Sequence, residues 1–282
     1  MIELCTAALL YAASAGAPGA APFTVFDAQG AQVELATLCN AMDDADVVFL
    51  GELHNDSTAH AIQLELLAWA NAATRSADRP LVLGLEMIET DVQPVLDEYL
   101  GGLIRERDWL TAGRPWTNYE TDYRPLVEFA REHGAAVVGT NAPGRYVSLV
   151  SRRGGVTVLD SLSASARAWL PPSSAPPSDP LAGKFMDLMG GMPHGAGPTV
   201  EGMMAGQNLR DATMAWQIAE ALARHPGALV VHVNGSFHSE GGLGIPEHLA
   251  RLAPEAHVLV VTMAPDAEGP TPGDDFVIRT AE

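Results

Sequence analysis

Two glutamates and two histidines stand close behind short apolar runs of this sequence: Glu52, His54, Glu86 and His238. Carboxylate and neutral imidazole are ligands that divalent Fe, Mn, Co and Zn accept in proteins, so one interpretation is a metal site built from all four side chains. In a second, metal-free interpretation Glu52 and His54 form a general acid–base pair, and Glu86 sets the tautomer of the histidine. In a third, they are hydrogen-bonded polar groups that cap the edge of a sheet. Because such groups are costly to bury together, we favour a functional pocket.

The first pair follows a glycine in the segment GELH, residues 51–54. Glu52 and His54 are two positions apart, so on an extended segment their side chains point to the same side. Gly51 allows the backbone to turn there without a clash from a Cβ atom. The spacing therefore predicts that this acid and this imidazole face the same space.

Five apolar runs rich in Val and Leu recur along the chain: residues 46–50, 81–85, 135–140, 228–233 and 257–263. They show little polar alternation, which is typical of strands buried on both faces of a parallel sheet. Helical patterns lie between them, at residues 57–73, 123–133 and 207–224. This order predicts an α/β fold with a mostly parallel central sheet flanked by helices. In such sheets ligands bind at the carboxyl ends of the strands, where the acids and imidazoles would meet.

The domain organisation predicted from the sequence is a leader followed by a single α/β domain. Residues 1–22 contain an apolar run and small residues, like the end of a secretory signal, but no basic start and no lipobox before Cys5. We therefore expect a periplasmic or exported protein if this segment is a signal remnant, and a cytoplasmic one otherwise. Membrane association would depend on a lost or truncated leader. The domain spans residues 23–282, with a Pro- and Met-rich insertion at 171–206 that could form a lid.

Composition excludes several functional classes. The chain of 282 residues has a net charge of −19, which repels nucleic acid backbones. Its cysteines, Cys5 and Cys39, form no CxxC pair, so no thiolate metal site or disulfide framework is indicated. The sequence also has no P-loop, no GxGxxG after a strand and no GxSxG nucleophile motif.

Three further histidines, His60, His194 and His232, give weaker indications of a function. His60 lies six positions after His54, which is not the spacing of a helical zinc pair, and we expect it on a helix surface. His232 lies inside a predicted strand and is expected to be a hydrogen-bonded core residue. His194 lies among methionines of the insertion, and we favour the interpretation that these methionines fill the core. Alternatively, His194 and the thioethers could supply an axial ligand for haem or hold a soft metal.

Seven segments, in order between about residues 23 and 260, resemble the ChaN-like haem-binding uptake proteins of the wider Tiki, TraB and erythromycin-esterase superfamily. They are GELH (51–54), LGLEM (83–87), QPVLDEYL (93–100), RPWTNYETDYRPLVEFA (114–130), TNAP (140–143), DATMA (211–215) and NGSFHSEGGLGIP (234–246). Each is short, and their common order makes the resemblance specific. It implies a parallel-sheet α/β fold and a polar site formed by Glu52, His54, Glu86 and His238.

For this branch of the superfamily the resemblance implies haem or iron handling, usually in an exported lipoprotein. It assigns no haem ligand to a position in this chain. Tyr119, Tyr123 and Tyr146 are candidate phenolate donors, and Asn141 is a further candidate for cofactor binding. A homodimer is also considered.

Two functions are therefore predicted. The first is a haem- or metal-binding protein of iron or haem acquisition, without turnover. The second is a metal-dependent enzyme that hydrolyses an ester, amide or peptide bond of a small-molecule or peptide substrate, or that uses iron for oxidative chemistry. In the hydrolytic form a cation would acidify water, Glu52 or His54 would accept its proton, and Tyr119 or Asn141 would donate to the oxyanion.

Overall fold

The computed structural model of the chain describes residues 23–189, 198–265, 267 and 269–280. Its centre is an eight-stranded sheet with the order β2-β1-β8-β7-β3-β6-β4-β5. The strands are β1 (Phe23–Asp27), β2 (Gln32–Val33), β3 (Val47–Glu52), β4 (Leu81–Glu89), β5 (Ala136–Asn141), β6 (Leu229–Gly235), β7 (Val258–Ala264) and β8 (Phe276–Thr280). The pairings among strands β3 to β8 are all parallel. Strand β1 is antiparallel to both of its neighbours, β2 and β8.

The five apolar runs correspond to β3, β4, β5, β6 and β7, which confirms the predicted α/β class with a mostly parallel sheet. Every residue of β3 and β6 is buried, as expected for strands covered on both faces. The strands β1, β2 and β8 were not predicted. They lie at one side of the sheet in the order β2-β1-β8, where β2 is only two residues long and β1 is only partly buried, so their sequence patterns are weaker.

Helices cover both faces of this sheet. Those of the described residues are α1 (Leu35–Asp43), α2 (Ser57–Ser76), α3 (Gln93–Leu100), α4 (Glu106–Gly113), α5 (Arg124–His133), α6 (Gly144–Arg153), α7 (Ala164–Arg167), α8 (Asp179–Met189), α9 (Val200–Arg224) and α10 (Ile245–Leu252). One apolar cluster joins the sheet to α1, α2 and α5. A second joins it to α9 and α10. The molecule is thus a three-layer α/β arrangement.

Local capping sets the start of α2 and the end of α5. The side chain of Asp56 accepts hydrogen bonds from the backbone N–H groups of Thr58 and Ala59, and so starts α2 immediately after the GELH segment. Gly134 ends α5 in the left-handed conformation with φ 74°, which glycine adopts without a steric cost.

The long helix α9 begins at Val200, seven positions before the predicted start at residue 207. Part of the predicted insertion at 171–206 is therefore regular helix, contributed by α8 and by the first turns of α9. The proposed lid includes residues 190–197, which lie outside the described residues, as do His194 and the predicted leader at 1–22. Within the described ranges, we find no helix with the length and apolar character needed to cross a membrane.

The strand β4 is longer than predicted and irregular at its carboxyl end. It pairs regularly with β5 up to Leu85, after which the register shifts before pairing resumes between Glu89 and Asn141. Glu86 lies inside this irregularity and not behind the end of the strand. Such bulges redirect side chains, and here the irregularity coincides with a carboxylate of the predicted site.

Candidate functional site

Glu52 is a buried carboxylate that holds His54 in a defined orientation. Its Oε1 lies 3.1 Å from His54 Nδ1 and accepts a hydrogen bond of 2.7 Å from the Tyr123 hydroxyl. Its Oε2 accepts one of 2.6 Å from Gln63 Nε2. Burial alone would raise the pKa of Glu52, but hydrogen bonds from His54, His60 and Tyr123 outweigh it and lower that pKa. The carboxylate is thus ionised and can only accept from Nδ1.

The opposite nitrogen of His54 remains available. Because Nδ1 carries the proton that is shared with Glu52, the neutral ring has its lone pair on Nε2. None of the described residues forms a hydrogen bond with Nε2, and 41% of the side chain is exposed. The ring is held edge-to-face against Trp116, with the centroids 4.7 Å apart. This arrangement holds the ring in a fixed orientation and leaves Nε2 without a hydrogen-bond partner among the described residues.

His238 forms a second, deeper group with two carboxylates. Its Nδ1 hydrogen-bonds to Asp211 Oδ1, and its Nε2 lies 3.4 Å from Glu86 Oε1. Burial would lower the pKa of His238, but the charges of Glu86 and Asp211 raise it to about 10. Burial would likewise raise the pKa of Glu86. The charge of His238, together with further hydrogen bonds, instead lowers this pKa to about 2. The group is therefore a buried imidazolium between two carboxylates.

Gly235, at the end of β6, connects the two groups. Its backbone N–H donates to Glu86 Oε2 at 2.7 Å. A Cβ atom at this position would lie 2.8 Å from both Cε1 and Nε2 of the His54 ring, closer than van der Waals contact allows. The ring of His54 therefore packs against the backbone of Gly235 so closely that a side chain at residue 235 would clash with it. This explains physically why a glycine stands at the start of the 235–238 segment.

A cavity of about 440 Å³ opens beside these groups. Its lining residues are His54, Glu86, Glu89, Trp116, Asn141, Gln207, Arg210 and His238. The guanidinium of Arg210 donates to Asn141 Oδ1 at 3.0 Å. Glu89 is paired with Arg114 at 2.9 Å and accepts from the backbone N–H of Gly144 at 2.9 Å. The cavity thus combines an accessible imidazole, an indole ring and several polar groups.

The structure brings most of the predicted site together. His54, Glu86, His238 and Asn141 line the cavity, and Glu52 lies directly behind His54. They form two acid–imidazole groups and not one four-ligand cluster. Within the described residues no group of three His, Cys, Asp or Glu side chains is arranged to hold a metal ion.

The candidate tyrosines lie elsewhere. Tyr119 and Tyr123 are fully buried, and neither they nor Tyr146 line the cavity. Burial raises the pKa of Tyr119 to about 12, while burial together with the charge of Glu52 raises that of Tyr123. Their predicted role as phenolate ligands gains no support from this geometry, because both rings pack into the core. Tyr123 instead orients Glu52.

His60 is buried beside Glu52, and its predicted surface position is wrong. His60 was expected on the helix surface, but it is buried, with Nε2 3.0 Å from Glu52 Oε2 and Nδ1 3.7 Å from Asp122 Oδ1. The buried face of α2 is wider than its apolar stripe and includes Gln63 as well. His232, in contrast, is a buried and hydrogen-bonded core residue as predicted, bound to Thr140 and Asn234.

Asp211, Trp116 and Arg210 were not identified as site residues. Asp211 lies three positions before Met214, on the apolar stripe of α9, and an acid that continues such a stripe is a detectable signal. Arg210 is its neighbour in sequence and carries no comparable signal. Trp116 lies in an irregular segment between α4 and the turn at Tyr119–Tyr123, where no periodicity indicates its direction.

Comparison with known proteins identifies the family of this chain and supports its fold. A family model described as haem-binding uptake, Tiki superfamily, ChaN matches residues 38–249. ChaN of Campylobacter jejuni, whose structure is described as cofacial heme binding, has a TM-score of 0.72 at 17% identity, over 92% of this chain and 97% of that chain. At this identity the likeness demonstrates the fold alone. The erythromycin esterase EreC, a mutant in its open conformation, has a TM-score of 0.49 at 13% identity, over 88% and 78% of the chains. No curated protein sequence matches the chain significantly.

Proposed function

We propose that this chain, which belongs to the ChaN family of haem-binding uptake proteins in the Tiki superfamily, binds haem in the cavity beside His54 as part of haem or iron handling. Haem is here the cargo of the protein. ChaN of Campylobacter jejuni supports the proposal, because its structure has the same fold and is described as cofacial heme binding.

The geometry of His54 carries the proposal for this chain. An axial ligand of haem iron must present an unprotonated nitrogen at an accessible position. Glu52 holds the proton of a neutral ring on Nδ1 at 3.1 Å, so Nε2 has no hydrogen-bond partner among the described residues, and the ring lines the cavity. A carboxylate behind a ligating histidine also raises its basicity and fixes its ring, a common arrangement around metal ligands.

The rest of the lining is mostly polar, and Trp116 is its apolar side chain. Trp116 lies edge-to-face with His54 and provides aromatic surface beside it. Asn141 and Arg210 provide hydrogen-bonding groups at the same cavity. The volume of about 440 Å³ falls within the range of roughly 300–1,000 Å³ that small-molecule sites occupy.

A haemin titration of the purified protein tests this function. We expect a saturable shift of the Soret band in the wild type, because imidazole ligation changes the iron spectrum. His54→Ala removes the free Nε2 and should weaken binding at least tenfold and change the spectrum of any haem that remains. His133→Ala is the matched control, because His133 is an exposed histidine at the end of α5 and is not part of the cavity lining. Wild-type protein without a saturable Soret shift would refute haem binding.

Divalent metal binding by Glu52, His54, Glu86 and His238 remains a separate prediction. Elemental analysis of protein purified without chelators, together with an absorption spectrum of the same sample, distinguishes haem, non-haem Fe, Mn, Co or Zn, and metal-free protein. For a metal shared by these residues, we expect His54→Ala and His238→Ala to lose it while the fold persists. Retention of full metal content in both variants would exclude a shared site.

The enzymatic alternative receives less support from the site. Both ring nitrogens of His238 are engaged by carboxylates, and its raised pKa keeps it protonated near neutral pH, so it is a poor general base. The pair of Glu52 and His54 retains an arrangement suited to accepting a proton. Turnover, a small-molecule or peptide substrate, a homodimer and export stay predictions.

A further inference from the structure

Arg210 is the cationic side chain of the cavity that lacks a carboxylate partner among the described residues. It projects from α9 into the lining, where its Nη1 donates to Asn141 Oδ1 at 3.0 Å. Asn141 is itself buried at the end of β5. A neutral amide thus orients the guanidinium without neutralising its charge.

The acidic groups around the cavity are already engaged. Glu86 is bound by Gly235 N–H and lies beside the imidazolium of His238. Glu89 is paired with Arg114 and is also bound by the Gly144 N–H. Within the described chain, no carboxylate lies within the 4.0 Å ion-pair distance of Arg210. In a protein with a net charge of −19, an unpaired and oriented arginine in a cavity needs an explanation.

We propose that Arg210, oriented by Asn141, binds a carboxylate group of the ligand that occupies this cavity. The inference rests on the proposed haem function, in which the carboxylate is a propionate of the porphyrin. A guanidinium matches a carboxylate with two parallel N–H donors, and such charge-assisted pairs are about twice as strong as neutral hydrogen bonds. Gln207 lies one helical turn before Arg210 on α9 and lines the same cavity, so its amide is positioned to support the same group.

This assignment separates two recognition functions within one cavity. His54 contributes the nitrogen that would contact the iron, and Arg210 contributes the charge that contacts the edge of the porphyrin. Loss of the first changes the iron spectrum. Loss of the second lowers affinity only for ligands that carry free carboxylates, and leaves the ligation of the iron unchanged.

The test compares two ligands and four proteins. Wild type, Arg210→Gln, Arg210→Lys and Arg224→Gln are each titrated with haemin and with haemin dimethyl ester, in which both propionates are esterified. Arg224 is the matched control, because it lies on the same helix and hydrogen-bonds only to the backbone oxygen of Glu220, outside the cavity. The Soret position and the dissociation constant are recorded for every pair.

We expect Arg210→Gln to weaken haemin binding about tenfold or more, as for loss of a charged hydrogen bond. Its affinity for the ester should equal that of the wild type, and its Soret maximum with haemin should be unchanged. Arg224→Gln should match the wild type with both ligands. Arg210→Lys keeps the charge but loses the two-pronged geometry, and we expect an intermediate affinity for haemin.

Equal weakening of both ligands by Arg210→Gln would overturn the inference, because the residue would then act on the cavity and not on a carboxylate. Unchanged affinity for haemin would overturn it as well. If the wild type binds neither ligand, the proposed function itself fails. If only the inference fails, the wild type still binds haemin saturably, and Arg210→Gln binds it with the same affinity.

Discussion

Gly235 contacts both acid–imidazole groups of the site, namely His54 of the first and Glu86 of the second. The ring of His54 rests on its Cα position, and its N–H donates to Glu86 at 2.7 Å. His54 depends on Glu52 for its tautomer, while His238 depends on Asp211 and Glu86 for its charge. The two histidines therefore differ in the number of carboxylates that contact them.

Gly235→Ala should displace His54, because the added Cβ would lie 2.8 Å from its Cε1 and Nε2 atoms. We expect haemin affinity to fall at least tenfold, and the free energy of unfolding to fall by about 1–3 kcal/mol, as for other overpacked sites. Haemin titration and urea unfolding measure the two effects. Gly155→Ala is the control, because a Cβ there meets no atom within 4 Å. Wild-type affinity in Gly235→Ala would contradict the proposed contact.

His238 should remain an imidazolium far above the usual range of histidine. Its pKa is raised to about 10 by the charges of Glu86 and Asp211 despite burial. The histidine chemical shifts in an NMR titration should therefore show a protonated ring at pH 8, and His238→Gln identifies the resonance. Because the folded pKa exceeds the unfolded value, the stability contributed by this charge is complete below pH of about 6.5 and declines as pH rises through about 10. A resonance that titrates near pH 6.5 would refute the buried imidazolium.

At the scale of elements, α9 contributes side chains both to the cavity and to the buried group of His238. It contributes Gln207 and Arg210 to the lining and Asp211 to the buried imidazolium group. Its first half packs closely on α6 through two glycines. A Cβ on Gly202 would lie 2.2 Å from the backbone oxygen of Ser151, and one on Gly206 would lie 2.3 Å from Ser151 Oγ.

Gly202→Ala and Gly183→Ala should change stability in opposite directions. Alanine favours a helix interior by about 0.5–1 kcal/mol over glycine, so Gly183→Ala on the exposed face of α8 should stabilise by this amount. At Gly202 the clash with a backbone oxygen outweighs the gain, and we expect destabilisation by about 1–3 kcal/mol. Thermal and urea unfolding compare the two variants. If both stabilise, then α6 and α9 are not in close contact at this point.

Elements with a strong sequence pattern were predicted correctly, whereas the bounds of elements with a weak or interrupted pattern were not. The five buried strands were predicted because continuous Val- and Leu-rich runs are typical of a parallel sheet. The true length of β4 was not predicted, because Glu86 interrupts the apolar run although the strand continues through a register shift. The start of α9 was placed too late, since Gly202 and Gly206 are poor helix formers and are present only for close packing.

For the whole molecule, the parallel sheet explains why residues distant in sequence share one cavity. The carboxyl ends of β3, β5 and β6 lie along one edge, and they carry Glu52, Asn141 and Gly235. The layers of helices then close the edge from both faces. A ligand bound there contacts several elements at once, so its binding should stabilise the whole fold.

Haemin should therefore raise the unfolding temperature of the protein. A ligand present at 100 times its dissociation constant adds about 2.7 kcal/mol to the free energy of unfolding, which corresponds to a shift of about 5–10 °C for a domain of this size. Differential scanning fluorimetry or calorimetry at several haemin concentrations measures it. His54→Ala should lose most of the shift, whereas His133→Ala should retain it. A shift that is equal in His54→Ala and the wild type would place the haem elsewhere.

Sequence alone was sufficient for the fold class, the family resemblance and the identity of the acids and imidazoles, because these depend on local composition and on short motifs. It was not sufficient for their partners. That His54 has one carboxylate neighbour and His238 two, that Tyr123 faces Glu52 and not a ligand, and that Arg210 is unpaired beside Asn141 all follow from contacts between residues distant in sequence. Protonation state and accessibility depend on burial and on neighbouring charge, and both are properties of the folded chain.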